Sequence, residues 1–598
     1  IQYVKIISLY FLKISNTCCR FFLENFLTNT ILQIAGIPLK ASDLFVKCLE
    51  NEGVEYIFGI PGEENADFMM SLSESKIKFI LTRHEQGAAF MADVYGRLTG
   101  KVGVCLATLG PGATNLVTGV ANANMDRSRL LAITGQTDSH LLHKESHQNT
   151  DAITMFKPIT KWNWSIRNPQ NIPEIVRRAF KISLEEKPGA VHIELPQDIA
   201  KREADIPPIE PQHIFRSEPN EELIKQATQL ILHAKNPIIF LGNGCVRENA
   251  SKNLRKFVEK TGIIAMNTFM GKGIISDDSP LHLHTIGIKD ADHALLAMKS
   301  ADVVIAVGVD LVEYSPKNWN LELNKKIIHI DFTPSEVYTY YRPVVEIVSD
   351  IGDAVDAILA ELESQKKSHP ELDVFPRKEI PEIFKQILQE VDERRDSFND
   401  DTAFPIKPEK LVIDVRNALG EYDIVLSDVG AHKLWISKIY KTYQPNTCII
   451  PNGFCSMGFA FPGAIAAKMV YPDRNVVAMC GDAGFLMNIQ ELETAVRLKI
   501  PIITVVWCDR DLGMISMKQK NEFGKSVFTK FTNPNFITLA ESFGAVGYVV
   551  KSTEEFPMIL EEAKKIIDKP VVIAIDVDYS RNNVLLNDSH YQNVKAKV

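Results

Sequence analysis

One stretch near the C-terminal end constrains the fold most. Val476-Val477-Ala478-Met479-Cys480 is an unbroken apolar run, and it stops at Gly481-Asp482-Ala483-Gly484. An apolar run of this length before a glycine-rich corner predicts a buried strand followed by a turn. From Asn488 to Lys499 the apolar residues Leu492, Ala495, Val496 and Leu498 recur near helical spacing, and Ile502 to Trp507 is a second strand-like run ending in Cys508-Asp509. Strand, turn, helix and strand in that order predict a parallel βαβ crossover. Asp482 and Asp509 then sit at the carboxyl ends of two strands, the edge where open α/β sheets bind ligands. Their oxygens suit a hard cation such as Mg²⁺. The glycines allow close backbone approach, and a helix starting near Phe485 offers free N–H groups to a phosphate. An ordinary Rossmann-like crossover carries the same Gly-Asp corner, so the other segments decide between the two readings.

At 598 residues the chain exceeds what one core supports, and three or four domains are expected. A net charge of −9 and a pI near 5.9 argue against a nucleic-acid partner. The nine cysteines form no CxxC pair, which fits reduced thiols in a cytoplasmic protein rather than a disulfide framework or a zinc site. Residues 1–37 are rich in Ile, Leu, Phe and Asn but are interrupted by Lys5, Lys13, Arg20 and Glu24, too often to span a bilayer. They are expected to be an extension outside the fold, and no membrane association is expected.

Strand-like and helical runs alternate through the remainder. Tyr56 to Ile60, Lys78 to Leu81, Val102 to Thr108, Leu130 to Thr134 and Ala190 to Leu195 belong to a first α/β unit, residues 38–205. A proline-rich linker over 206–219 precedes a central Rossmann-like unit, 220–362, with strands at Pro237, Val303 and Lys326. The charged stretch 363–403 reads as a linker holding one helix, and a third unit covers 404–598. The fold class is therefore α/β, with three doubly wound parallel-sheet domains.

Outside the opening stretch, Glu85 stands at a strand-to-helix junction, with Ala88, Ala89 and Ala92 on its helix face. Small neighbours let a flat ring approach a carboxylate suited to proton transfer; a helix N-terminus also simply welcomes an acidic residue. His140, His143 and His147 are spaced irregularly for a metal site, and the polar loop that holds them ends at Gln148, a possible substrate contact. Asp428-Val429-Gly430-Ala431-His432 ends a strand and can turn N–H groups and a ring toward a phosphate, while Met457 projects from a glycine-flanked loop or packs in a core.

Taken together and in this order, RHEQGAAFMADVYGRLTG (83–100), ATLGPGATNLVTGVANA (107–123), HKESHQ (143–148), SDVGAHKLW (427–435), NGFCSMGFAFPGAIAAK (452–468) and GDAGFLMNIQELETAVRL (481–498) resemble the thiamine-diphosphate-dependent enzymes, and within them the acetolactate synthase large-subunit group, over about residues 40–585. The resemblance implies a pyrimidine-binding, a central and a diphosphate-binding domain. It implies Mg²⁺ on Asp482, on Asp509 (509 − 482 = 27 positions later) and on the backbone carbonyl of Asp511. It implies diphosphate contacts from Val429, Gly430, Ala431, His432, Gly481, Ala483, Gly484, Gly513 and Met514, and Met457 beneath the cofactor. Glu85 would come from a partner subunit to the pyrimidine ring, so a homodimer or larger assembly with the site at the subunit interface is expected. Gln148 would contact substrate, a small 2-oxo acid. The implied reaction is decarboxylation of pyruvate and ligation of the two-carbon unit to a second 2-oxo acid, giving 2-acetolactate. A simple decarboxylase, a flavin-dependent pyruvate oxidase and a catalytically silent partner subunit are the alternatives.

Four departures qualify this. Cys508 precedes Asp509 where Asn is commoner, and no Trp follows Met514. Leu195-Pro196-Gln197-Asp198 and Val312-Glu313-Tyr314 replace motifs typical of flavin-binding members, so FAD is possible but not favoured.

Overall fold

A computed structural model of the chain describes residues 38–585 except 213, 248–249, 288–292, 370–376 and 378–379. The expected extension 1–37 lies outside the described residues. Three six-stranded sheets organise the rest, and every pairing within them is parallel.

The first sheet runs Lys78–Leu81, Tyr56–Gly59, Gly103–Ala107, Leu130–Gln136, Ala190–Pro196, Trp162–Ser165. The third runs Cys448–Ile449, Ile424–Ser427, Val476–Gly481, Ile503–Cys508, Val571–Asp576, Val546–Val549. Numbered within each domain, both have the order 2-1-3-4-6-5, so the first and third domains repeat one topology without an evident sequence repeat. The central sheet follows the Rossmann order 3-2-1-4-5-6, from His282–Thr285 to Pro343–Val348. The central strands are apolar on both faces because helices cover both sides of each sheet. The edge strand Trp162–Ser165 was not expected; Trp164 is exposed and the strand is polar at Asn163 and Ser165, so it has no buried-strand signature.

The first and third domains share one hydrophobic cluster. Helix Glu85–Thr99 lies against helix Ala460–Val470: Phe90 meets Phe459 edge-on at 5.6 Å, and a Cβ at Gly463 would come within 2.8 Å of Val94.

The 363–403 stretch is not a spacer. Helix Ile351–Ser368 runs through the expected boundary at 362, and helix Glu382–Asp396 docks on the central domain. Phe384, Ile387, Leu388 and Val391 recur at i, i+3, i+4 and i+7 and enter that domain's core, an apolar stripe masked by the surrounding charges. The expected helix after Asp482 also differs. It begins at Asp482, ends at Met487, and resumes as Glu491–Arg497. Asn488 breaks it because its side chain donates to the carbonyl of Gly458 at 2.8 Å. Among the described residues, no helix is long and apolar enough to cross a membrane.

Candidate active site

In the third domain the strand order reverses between Ile424–Ser427 and Val476–Gly481, and ligand crevices open at such switch points. A cavity of about 430 Å³ lies there. Val429, Gly430, Ala431, His432, Met457, Gly481, Asp482, Ala483, Gly484, Asp509, Asp511, Gly513 and Met514 all line it. Met457 is thus a cavity residue rather than only a core residue. Helices Ala431–Ile439 and Gly513–Phe523 both begin at this wall, and neither has a side-chain cap. Uncapped helix starts leave N–H groups without partners, which suits a diphosphate.

The two carboxylates are held differently. Asp482 is buried, and its Oδ2 accepts the backbone N–H of Asp509 at 3.2 Å and of Arg510 at 2.9 Å, and the Asn533 amide at 2.8 Å. Asp509 accepts the Asp511 N–H at 3.3 Å. Burial and the neighbouring Asp482 carboxylate push Asp509 up to about 7. Among the described residues neither carboxylate has an ion-pair partner, and a divalent cation with oxygen preference fits them. A Cβ at Gly513 would stand 2.7 Å from Asp509 Oδ2, so only glycine leaves that oxygen its place. The Asp511 side chain pairs with Lys530 at 2.9 Å through Oδ2. Cys508 is buried in the strand beneath, and burial pushes its thiol up to about 12, so it acts as an apolar core residue.

His432 is buried against Trp507, with ring centroids 5.9 Å apart, and its Nε2 has no hydrogen-bond partner. Burial pushes its imidazole down to about 3, so the ring is neutral. Gly430 and Gly481 flank it; a Cβ at either would lie 2.7 Å or 3.2 Å from its Cε1. The unsatisfied ring nitrogen faces the same cavity wall as the uncapped helix starts.

The Met457 loop is fixed by two carboxylates, Asp428 and Asp126, whose roles are not legible in the sequence. Asp428 accepts the N–H of Val429 at 2.6 Å and of Gly458 at 2.9 Å, joining the strand end to the loop. Burial pushes its carboxyl up to about 6. Asp126, in the first domain, accepts the N–H of Gly453 at 2.5 Å and the Arg97 guanidinium at 2.6 Å. Asp428 ends a strand, a position that could have drawn attention; Asp126 and Asn533 carry no local signal.

Glu85 and Gln148 do not line this cavity. Both lie in the first domain, on either side of the turn Gly110–Gly112. Glu85 is buried, and its Oε2 accepts the Asn115 amide at 2.9 Å. A Cβ at Gly112 would be 3.4 Å from Glu85 Oε1, and one at Gly110, whose φ is +51°, would be 2.5 Å from the Gln148 carbonyl oxygen. Gln148 is exposed, with φ +54°. The alanine face expected to admit a flat ring does not do so in this chain. Ala88, Ala89 and Ala92 are wholly buried, and Ala89 and Ala92 seat Gly119 and Gly103. His140, His143 and His147 are spread on an exposed or half-buried loop, and among the described residues no group of three His, Cys, Asp or Glu side chains converges. Asp198, in the departing Pro196-Gln197-Asp198 segment, pins that loop by accepting the Ser139 N–H at 2.8 Å and hydroxyl at 2.6 Å.

Three family models match the chain: the thiamine pyrophosphate enzyme N-terminal TPP binding domain at residues 39–155, the central domain at 224–358, and the C-terminal TPP binding domain at 428–575. Among similar curated proteins, the acetolactate synthase of Bacillus subtilis (strain 168) is 34% identical over 551 residues, covering 92% of this chain and 95% of that protein. A probable acetolactate synthase large subunit of Methanocaldococcus jannaschii is 36% identical, covering 90% and 92%. The catabolic acetolactate synthase of Raoultella terrigena is 32% identical, covering 92% and 98%.

Proposed function

The chain belongs to the thiamine pyrophosphate enzyme family, and we propose that within it the chain is an acetolactate synthase, converting two pyruvates to 2-acetolactate and CO₂. The observation that carries the reading is the switch-point cavity, where Asp482 and Asp509 face uncapped helix starts and an unsatisfied His432 nitrogen.

Asp482, Asp509 and the Asp511 carbonyl would hold Mg²⁺. Val429 to His432, Gly481, Ala483, Gly484, Gly513 and Met514 would surround the diphosphate, and Met457 would support the rings between the two ends. Bound there, thiamine diphosphate would supply a carbon nucleophile and an electron sink for decarboxylating a 2-oxo acid. The chain's part is to orient that group, exclude water and place one carboxyl for proton movement. Glu85 is that carboxyl: Asn115 holds Oε2, which leaves Oε1 to keep or pass a proton. Gln148 would reach substrate from the same face.

Glu85 lies outside its own chain's cavity, which supports a homodimer or larger assembly in which one copy's first domain closes the other copy's cavity. The cysteines among the described residues are free and mostly buried, which supports a cytoplasmic location. FAD is not part of the reading. Gly242 and Gly244 pack onto Gly308, where a Cβ would meet backbone atoms at 2.4 Å and 2.6 Å. Beyond the end of the central strand Val303–Val307, Asp310 pairs with Arg247 at 2.7 Å and Lys187 at 2.9 Å. Glu313, in the segment that departs from flavin-binding members, instead accepts the N–H of Asn243 at 3.1 Å and Met270 at 3.3 Å.

The test is product analysis on purified protein with Mg²⁺, thiamine diphosphate and pyruvate, alone and with 2-oxobutyrate, together with cofactor content. Acetolactate and CO₂ with no bound flavin are expected. Aldehyde without acetolactate, or no CO₂ at all, overturns the reading.

A further inference from the structure

Lys433 lies in the first turn of helix Ala431–Ile439, directly after His432, and lines the same cavity. It is only 6% exposed. Its Nζ donates to Asn452 Oδ1 at 2.8 Å and to Cys455 Sγ at 3.1 Å, and lies 5.3 Å from the ring centroid of Phe269. None of these partners is a carboxylate. Among the described residues no carboxylate comes within ion-pair distance of this ammonium.

A buried charge without an opposite charge is costly, and natural proteins place one where a partner arrives. The helix adds to that cost, because its N-terminal end carries positive partial charge and disfavours a cation. The position is nonetheless tightly built. Asn452 is oriented by its own amide, which donates to the Glu313 carbonyl at 3.1 Å, and its neighbour Gly453 is held by Asp126 at 2.5 Å. All three domains therefore contribute to where Nζ sits. The cavity's other lysine, Lys518, is exposed. Lys433 shares no contact with the Asp482, Asp509 and Asn533 cluster.

We propose that Lys433 binds the carboxylate of the 2-oxo acid substrate. The proposal rests on the synthase reading, whose substrates are monoanions. An ammonium has three N–H donors, and two are spent on Asn452 and Cys455. The third is free for a carboxylate oxygen, which supplies the missing charge and lets the site prefer an anionic acid over its neutral analogues.

The experiment compares the full-length wild type with Lys433→Met and Lys433→Arg, all with Mg²⁺ and thiamine diphosphate. It measures pyruvate kinetics, binding of oxamate (an unreactive anionic analogue), inhibition by methyl pyruvate (a neutral one), and thiamine diphosphate affinity. In Lys433→Met, KM for pyruvate and the dissociation constant of oxamate should rise about 10- to 100-fold, with methyl pyruvate and thiamine diphosphate changed by less than about 3-fold, and Lys433→Arg should recover part of the loss. Unchanged pyruvate KM with weakened thiamine diphosphate binding overturns the proposal and assigns Lys433 to the diphosphate. Equal losses for pyruvate and methyl pyruvate overturn it in favour of a structural role. If the wild type releases no CO₂ from pyruvate, the synthase reading fails separately, and oxamate binding alone decides: loss in Lys433→Met supports an anion site, and unchanged binding ends it.

Discussion

The Glu491 carboxylate of the third domain accepts the backbone N–H groups of Arg83 and His84 in the first domain, at 3.0 Å and 2.9 Å. Its other oxygen takes the Thr494 hydroxyl at 2.6 Å. The corner from which Glu85 projects is therefore fixed by a residue 408 positions from Arg83.

That contact is expected to show in the pH dependence of stability. Burial pushes Glu491 up to about 7, above the roughly 4.3 of an unfolded chain. A raised carboxyl contributes stability that is fully present below the unfolded value and lost as pH rises through about 7. Glu491→Gln mimics the protonated form, accepting both N–H groups and donating to Thr494. Its apparent Tm relative to wild type should climb between pH 5 and pH 8. A difference that stays flat across that range would count against the assignment.

Glu85→Gln keeps a hydrogen-bonding group beside Asn115 but removes the proton-carrying oxygen. Acetolactate formation should fall by at least about 100-fold while thiamine diphosphate affinity stays within a few-fold. Rate and affinity measured on the same preparation separate the two, and parallel losses would sink the proton-transfer role.

Asn533→Ala removes the amide donor from Asp482 Oδ2. Outer partners of metal ligands commonly matter at about 10- to 100-fold, and Mg²⁺-dependent thiamine diphosphate binding should weaken by that order. Gly513→Ala should act in the same direction, because its methyl would crowd Asp509 Oδ2 from 2.7 Å. Calorimetric titration that finds wild-type affinity in both variants would show that these carboxylates do not hold the metal.

Asp310 is buried between Arg247, at 2.7 Å, and Lys187, at 2.9 Å, and these cations hold its carboxyl well below the usual range. Asp310→Ala leaves both cations without this partner, which should cost about 3–5 kcal/mol. Denaturant unfolding reads this directly. The exposed pair Glu562 and Lys565 is the control, and Glu562→Ala should leave the unfolding midpoint unchanged within error.

How much was legible in advance follows from where each signal resides. The buried strands announced themselves, since a parallel strand covered on both faces must be a continuous apolar run: Lys326–Asp331 and Val476–Gly481 lie where their runs predict. The carboxylates at strand ends were legible for the same reason, because a strand's end is a local property. The one helix expected in the charged stretch is Glu382–Asp396, but its docking on the central core is not legible in advance because its apolar stripe is narrow and its surroundings are charged. Whether Ala88, Ala89 and Ala92 admit a ring or pack in the core is open in the sequence, because nothing local says that Gly119 and Gly103 pack against that face.

The sequence by itself determined the fold class and the order of the domains, and it marked Asp482 and Asp509 as strand-end carboxylates, since apolar periodicity and glycine corners are written in neighbouring residues; most of the other expected cavity residues came from the family resemblance. Only the tertiary structure decided that Glu491 holds Arg83 and His84, that Asn533 holds Asp482, that Asp126 holds Gly453, and that Lys433 lies buried with no carboxylate partner among the described residues. The physical reason is that a hydrogen bond or an unpaired charge belongs to two places in space. Burial and partnership arise when distant segments meet, and no window of neighbouring residues contains them.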